Sequence, residues 1–220
     1  MRSLWAVLVL FVYPAVAGAQ APTVPAPPRG DVSGAVGWLH VPFEPSSHDS
    51  LRDDDWTRHA TGTATAGLYW NDHWKTELSA EVSTRPEVWD TEVLRVGNEI
   101  AYRSVRHRIQ YTQFTLAQFY QFGRNDWVHP ALGAGVLIQR RGGESEYSPA
   151  VISGSPRGPI VTIDPGGRKD LATTTIAAPF VAAALKAYIT PRAFFRTDLQ
   201  VAFRRDVESV VMHAGFGIDF

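Results

Sequence analysis

The sequence predicts an all-β protein, an eight-stranded antiparallel transmembrane β-barrel, and three observations carry that reading. Segments of about ten residues alternate apolar and polar with a period of two. Tight turns and long loops take turns as connections. Aromatic residues gather beside the tight turns.

The alternation is clearest near the C-terminus. Phe195, Thr197, Leu199, Val201 and Phe203 share one face, and Arg196, Asp198, Gln200 and Arg204 share the other. The last segment sets Val210, Met212, Ala214, Phe216, Ile218 and Phe220 against His213, Gly215, Gly217 and Asp219. Residues 74–84 put Trp74, Thr76, Leu78, Ala80 and Val82 opposite Lys75, Glu77, Ser79 and Glu81. Read in this way, the chain offers strands at 31–41, 60–70, 74–84, 108–122, 127–140, 174–189, 193–204 and 209–220. The first and fourth leave their phase open, and a β-bulge in the fourth would account for it.

Asn71-Asp72-His73, Gly123-Arg124-Asn125-Asp126 and Thr190-Pro191-Arg192 read as tight turns. Residues 42–59, 85–107 and 141–173 read as long loops, with a shorter link at 205–208. Outer-membrane barrels show this asymmetry, short in the periplasm and long outside. Trp70, Trp74, Tyr120, Phe122, Trp127, Tyr188, Phe195 and Phe220 lie near the short-turn side. They are expected at the membrane interface, where the ring is apolar and the Tyr or Trp tip meets water.

The polar face is assigned to the lumen. It carries Lys75, Glu77, Glu81, Lys186, Arg196, Asp198, Gln200, Arg204 and His213, among small residues such as Gly67, Gly133, Gly135, Gly215 and Gly217. Facing lipid, each Arg or Lys would cost about 2–4 kcal/mol at the midplane. The turn at 190–192 sets Lys186 opposite Arg196, with Asp198 on the diagonal to offset the repulsion, and the 205–208 link sets Gln200 opposite His213. An eight-stranded interior is only wide enough for side chains to fill, so an ion-paired plug is expected. A narrow ion-conducting pore is the alternative.

Arg2, the apolar run Leu4 to Val16 and Ala17-Gly18-Ala19 read as a signal peptide over 1–19. A proline-rich leader follows over 20–30, and the barrel is assigned to 31–220. Cysteine is absent, which excludes a disulfide scaffold. A net charge of −1 provides no field for nucleic acid. The seven histidines show no metal-ligand spacing, and neither metal nor cofactor is expected.

The C-terminal His213-Ala214-Gly215-Phe216-Gly217-Ile218-Asp219-Phe220 resembles the closing strand of outer-membrane barrels. His129-Pro130-Ala131-Leu132-Gly133-Ala134-Gly135-Val136 resembles a strand of the OmpA/OmpX-type barrel family. The resemblance covers residues 31–220 and implies a monomer in the outer membrane of a Gram-negative cell, in contact with lipid and lipopolysaccharide. It further implies that Phe216, Ile218 and Phe220 form the signal read by the barrel assembly machinery. No peptidoglycan-binding domain is expected after Phe220.

An enzyme is the rival class, since some barrels of this plan modify lipid A. His48-Asp49-Ser50 offers the residue types of a nucleophilic site. The three are consecutive in a polar loop, with no strand to orient base toward hydroxyl, so catalysis is not expected. Arg103, Arg106, His107 and Arg108 form a basic run suited either to lipopolysaccharide phosphates or to solvent. A soluble lipocalin-like barrel would need an apolar interior, which the charged face opposes.

Overall fold

A computed structural model describes residues 29–42, 56–96, 99–122, 127–152 and 161–220. They form eleven strands: β1 (Gly30–Pro42), β2 (Trp56–Tyr69), β3 (Trp74–Ser83), β4 (Glu87–Val96), β5 (Glu99–Gln121), β6 (Val128–Tyr147), β7 (Ala150–Ile152), β8 (Val161–Asp164), β9 (Gly167–Tyr188), β10 (Ala193–Phe203) and β11 (Val207–Asp219).

Eight of these are staves of a closed antiparallel barrel, in the order β1-β2-β3-β5-β6-β9-β10-β11 and back to β1. Hydrogen-bonded partners followed once round from Gly30 pass through Leu68, Thr76, Gln118, Ala134, Val181, Val201 and Val210, and return to β1 at His40. That ten-residue stagger between Gly30 and His40 tilts the strands, and barrels of this kind tilt by about 35–45°. At the seam, Phe220 N–H donates to the Gly30 carbonyl (2.9 Å), and Gly30 N–H returns a bond to Phe220 O (3.1 Å).

Short polar side chains build the tight turns. Asn71 Oδ1 accepts from the backbone N–H groups of His73 and Trp74, both at 2.9 Å. Thr190 Oγ1 accepts from Ala193 N–H at 2.9 Å. The predicted turn at 123–126 lies outside the described residues.

Polarity runs inside out. The outer surface exposes Leu68, Leu78, Leu116, Leu132, Val136, Met212, Phe216 and Ile218, each more than half accessible except Leu68 at 50%. The interior buries Asp31, Lys75, Glu77, Glu81, Lys186, Arg196 and His213. Water would favour the reverse arrangement; hydrocarbon outside and paired charge inside favour this one. Outward apolar runs such as Ala60 to Trp70 and Val128 to Ile138 are eleven residues long. At about 3.3 Å per residue and 40° of tilt they stand about 28 Å high, enough to cross a hydrocarbon core. The chain is a transmembrane barrel.

Two predicted loops are largely strand. In 85–107, β4 pairs with the first half of β5, from Glu87↔Arg108 to Val96↔Glu99. In 141–173, β6 and β9 continue their pairing to Tyr147↔Gly167, and β7 and β8 form a small hairpin against Ala101 and Tyr102 of β5. These extensions have polar residues on both faces, so hydrophobic alternation fades where the chain leaves the apolar band. Phase in the fourth predicted strand is also settled. Odd-numbered residues of β5 from Ile109 to Gln121 are buried and the even ones lie outward, with an unbroken register and no bulge. Phe119 and Tyr111 therefore point inward while Gln118 points out.

Candidate functional site: the ion-paired lumen

Inward positions of β1, β3, β9, β10 and β11, with hydroxyls from β2, converge on one chain of charges. Near the short-turn end, Lys186 Nζ donates to Asp31, to Tyr69 Oη (2.5 Å) and to Asp219 (3.2 Å). Lys75 lies between Asp31 (2.8 Å) and Glu77 (2.5 Å). Gly67 makes this possible, because a Cβ there would sit 2.0 Å from Lys75 Cε and 2.3 Å from Asp31 Oδ1.

One layer further in, Arg196 donates both terminal nitrogens to Glu77, at 2.6 and 2.7 Å, across the lumen from β10 to β3. Its Nε stands 3.7 Å from Asp198. His213 follows, with Nδ1 at 3.1 Å from Asp198 and Nε2 at 3.1 Å from Glu81 and 2.9 Å from Thr63 Oγ1. Both ring nitrogens thus face a carboxylate, and Gly37 leaves room for the ring, since a Cβ there would meet His213 Cδ2 at 2.5 Å.

Apolar packing flanks the ionic chain. Ala117, Phe119, Leu137, Ala178, Phe180 and Ala202 pack in one cluster. Leu39, Val41, Val88, Ile109, Tyr111 and Val211 form a second, on the loop side. Fork-shaped Arg–carboxylate bonds between buried side chains hold the staves rigidly, and removing one partner alone would leave a buried unpaired charge.

Most residues expected in the lumen sit there: Lys75, Glu77, Glu81, Lys186, Arg196 and His213 are buried, and Asp198 and Gln200 are partly buried on the same face. Arg204 does not. It lies in the exposed β10–β11 turn, paired with Glu208 at 3.3 Å, because β10 ends at Phe203. The expected register at that turn shifts as well. The turn is tighter than the 205–208 link, with Phe203 paired to Val207, and together with a one-residue irregularity at Ala202/Phe203 it sets His213 opposite Asp198 and Gln200 opposite Val211. Lys186 does lie opposite Arg196, and Asp198 offsets the repulsion only on the Arg196 side, 3.7 Å from its Nε, rather than at Lys186. Their counter-charges, Asp31 and Glu77, come from β1 and β3 across the lumen.

The expected interface aromatics also divide. Trp70, Trp74, Phe122, Trp127 and Phe220 are exposed on the outside. Tyr120 packs there against Trp74 and Phe122, with ring centroids 5.1 Å apart in both pairs. Phe195 packs on Phe216 at 5.4 Å. Tyr188 belongs elsewhere: it shares the inward face with Lys186, and its hydroxyl donates to Asp219. Asp31, Tyr69 and Asp219 were missed as site residues. Asp31 belonged to a strand of open phase, and nothing local joins the three before the barrel closes.

The basic run is spoken for. Arg103 pairs with Glu92 (2.5 Å) and Asp164 (3.1 Å), Arg106 with Glu146, and Arg108 with Glu87 (2.5 Å) and Glu144 (3.3 Å). His107 Nδ1 lies 2.8 Å from Ser145 Oγ. Glu87, Arg108 and Glu144 occupy one cross-strand row with alternating sign, so this part of the extension beyond the membrane is a charge-paired ladder. Hydrogen bonding from Arg108 holds the Glu87 carboxyl below its ordinary pKa, and hydrogen bonding from Arg106 does the same for Glu146. Residues 48–50, with the candidate His48-Asp49-Ser50 site, lie outside the described residues. Among the described residues no group of three metal-ligating side chains occurs.

No known family model matches the chain, and no curated protein matches it. Solved structures do. The barrel of Neisserial surface protein A superposes with a TM-score of 0.52 at 11% identity, over 87% of this chain and 97% of that one. OprG of Pseudomonas aeruginosa gives 0.49 at 15%, over 88% and 97%. The N-terminal barrel domain of Pseudomonas aeruginosa OprF gives 0.48 at 13%, over 88% and 98%. With its closed circuit of staves, charged lumen and apolar exterior, the chain has the fold of the OmpA/OmpX-type eight-stranded outer-membrane barrels.

Proposed function

We propose that this protein resides in the outer membrane of a Gram-negative cell as a monomeric, non-enzymatic barrel with a structural or interaction role. It is exported with residues 1–19 removed, assembled through the closing strand that carries Phe216, Ile218 and Phe220, and surrounded by lipid and lipopolysaccharide. One observation supports this above the rest. The ionic chain from Asp219 through Lys186, Asp31, Lys75, Glu77, Arg196 and Asp198 to His213 and Glu81 fills the bore, so the barrel serves as a rigid wall that carries the β4–β9 extension outside. The test is heat-modifiability of the outer-membrane fraction on a denaturing gel. A band that migrates fast unboiled and shifts on boiling is expected; a soluble protein with no shift would sink the reading.

A second reading, slow ion passage, draws on the row Glu81↔Gln113↔Gln139. Glu81 Oε1, Gln113 Nε2 and Gln139 Nε2 are buried there without a hydrogen-bond partner among the described residues. Leaving such groups dry costs about 1–3 kcal/mol each, which favours a wet patch in mid-lumen. Asp198→Ala, which removes the carboxylate beside His213 Nδ1 and Arg196 Nε, is the opening variant. Silent single-channel recordings from both it and the wild type would remove this reading.

A further inference from the structure

Outward positions change character where the apolar band ends on the loop side. In β2 the band from Trp70 to Ala60 is followed by Arg58, and in β6 the band from Val128 to Ile138 is followed by Arg140. Both arginines are exposed. Among the described residues, neither has a carboxylate within ion-pair distance. This contrasts with the ladder further out, where Arg103, Arg106 and Arg108 are each held by acids.

The neighbours sharpen the contrast. Arg58 stands directly across from His40 of β1, so two basic side chains lie side by side. Arg140 stands between Thr112 of β5 and Thr175 of β9, whose hydroxyls suit an oxyanion. A guanidinium at the edge of hydrocarbon has water on one side only, and a phosphate there supplies both charge and matched acceptor geometry.

We propose that Arg58 with His40, and Arg140 with its flanking threonines, bind phosphate groups of the surrounding outer-leaflet lipid. The inference rests on the membrane reading above and adds the residues and the ligand chemistry to it. Two such anchors, on staves separated by β3 and β5, would hold the barrel upright and at fixed depth against the outer leaflet.

The test uses the full chain folded in neutral sugar-detergent micelles. Three probes are titrated: a glucosamine-disaccharide lipid carrying two phosphate monoesters, the same lipid without phosphates, and inorganic phosphate. Wild type should bind the phosphorylated lipid about tenfold or more tightly than the bare one. Arg58→Gln with Arg140→Gln should shrink the preference to about twofold, while Arg192→Gln, on the opposite rim, keeps it. An unchanged preference in the double variant, or none in wild type, would overturn the assignment. Full competition by equimolar inorganic phosphate would overturn the lipid source. Failure of wild-type protein to shift on boiling in the same micelles would instead unseat the membrane reading.

Discussion

Glu77→Ala is the most informative single change. Glu77 receives two guanidinium bonds from Arg196, at 2.6 and 2.7 Å, and one ammonium bond from Lys75 at 2.5 Å, with all three side chains buried. In its absence Arg196 retains only Asp198, 3.7 Å from Nε, and Lys75 retains Asp31. Breaking one side of a buried pair costs about 3–5 kcal/mol, since the remaining charge has no water to return to. Replacing both partners with apolar groups, as in Glu77→Leu with Arg196→Met, removes that orphan charge and should return stability to within about 1 kcal/mol of wild type. The coupling energy of the cycle should therefore exceed about 2 kcal/mol. The assay is reversible urea unfolding of the barrel in vesicles, followed by tryptophan fluorescence and by the boiling shift. If Glu77→Ala lies within 1 kcal/mol of wild type, or the double variant is as unstable as the sum of its singles, the ion-paired plug does not hold the staves as argued.

Three further outcomes are expected. Leu199→Arg, on the lipid face between Met212 and Ala183, should lose about 2–4 kcal/mol and reach the membrane poorly, whereas Gln200→Arg on the inward face is tolerated better; equal yields would reverse the facing assignment. Deletion of Phe220 removes the backbone bonds to Arg29 and Gly30 at the seam and should lower the amount of heat-modifiable barrel, with normal levels counting against its role in closure. The outer ladder should loosen in acid. Glu87 and Glu146 have folded pKa values below the ordinary one, so their contribution is complete above that value and is lost as pH falls below about 4. Amide exchange corrected for intrinsic rate should then speed up across β4 and the outer part of β5 at pH 3.5, with little change at 112–120; equal protection at pH 6 and 3.5 would contradict the argument.

Period-two alternation was enough to place β3, β10 and β11 and to decide which way Lys75, Glu77, Arg196 and His213 point, because in a half-polar strand every side chain's direction follows from its neighbour's. The closing strand was legible in its own alternation and final Phe220, and the aromatic rim in the residues beside the short turns. The sequence could not show who pairs with whom across the bore. Lys186 meets Asp31 and Arg196 meets Glu77 only once the staves close with a ten-residue stagger, and a tighter β10–β11 turn with a one-residue irregularity at Ala202 moves His213 from Gln200 to Asp198. Nor could it show that β5, β6 and β9 rise past the membrane, where polar residues stand on both faces and hydrophobic period no longer marks a strand. Local polarity determined the facing of each strand by itself; partner choice depended on shear and closure, which are properties of the whole circuit.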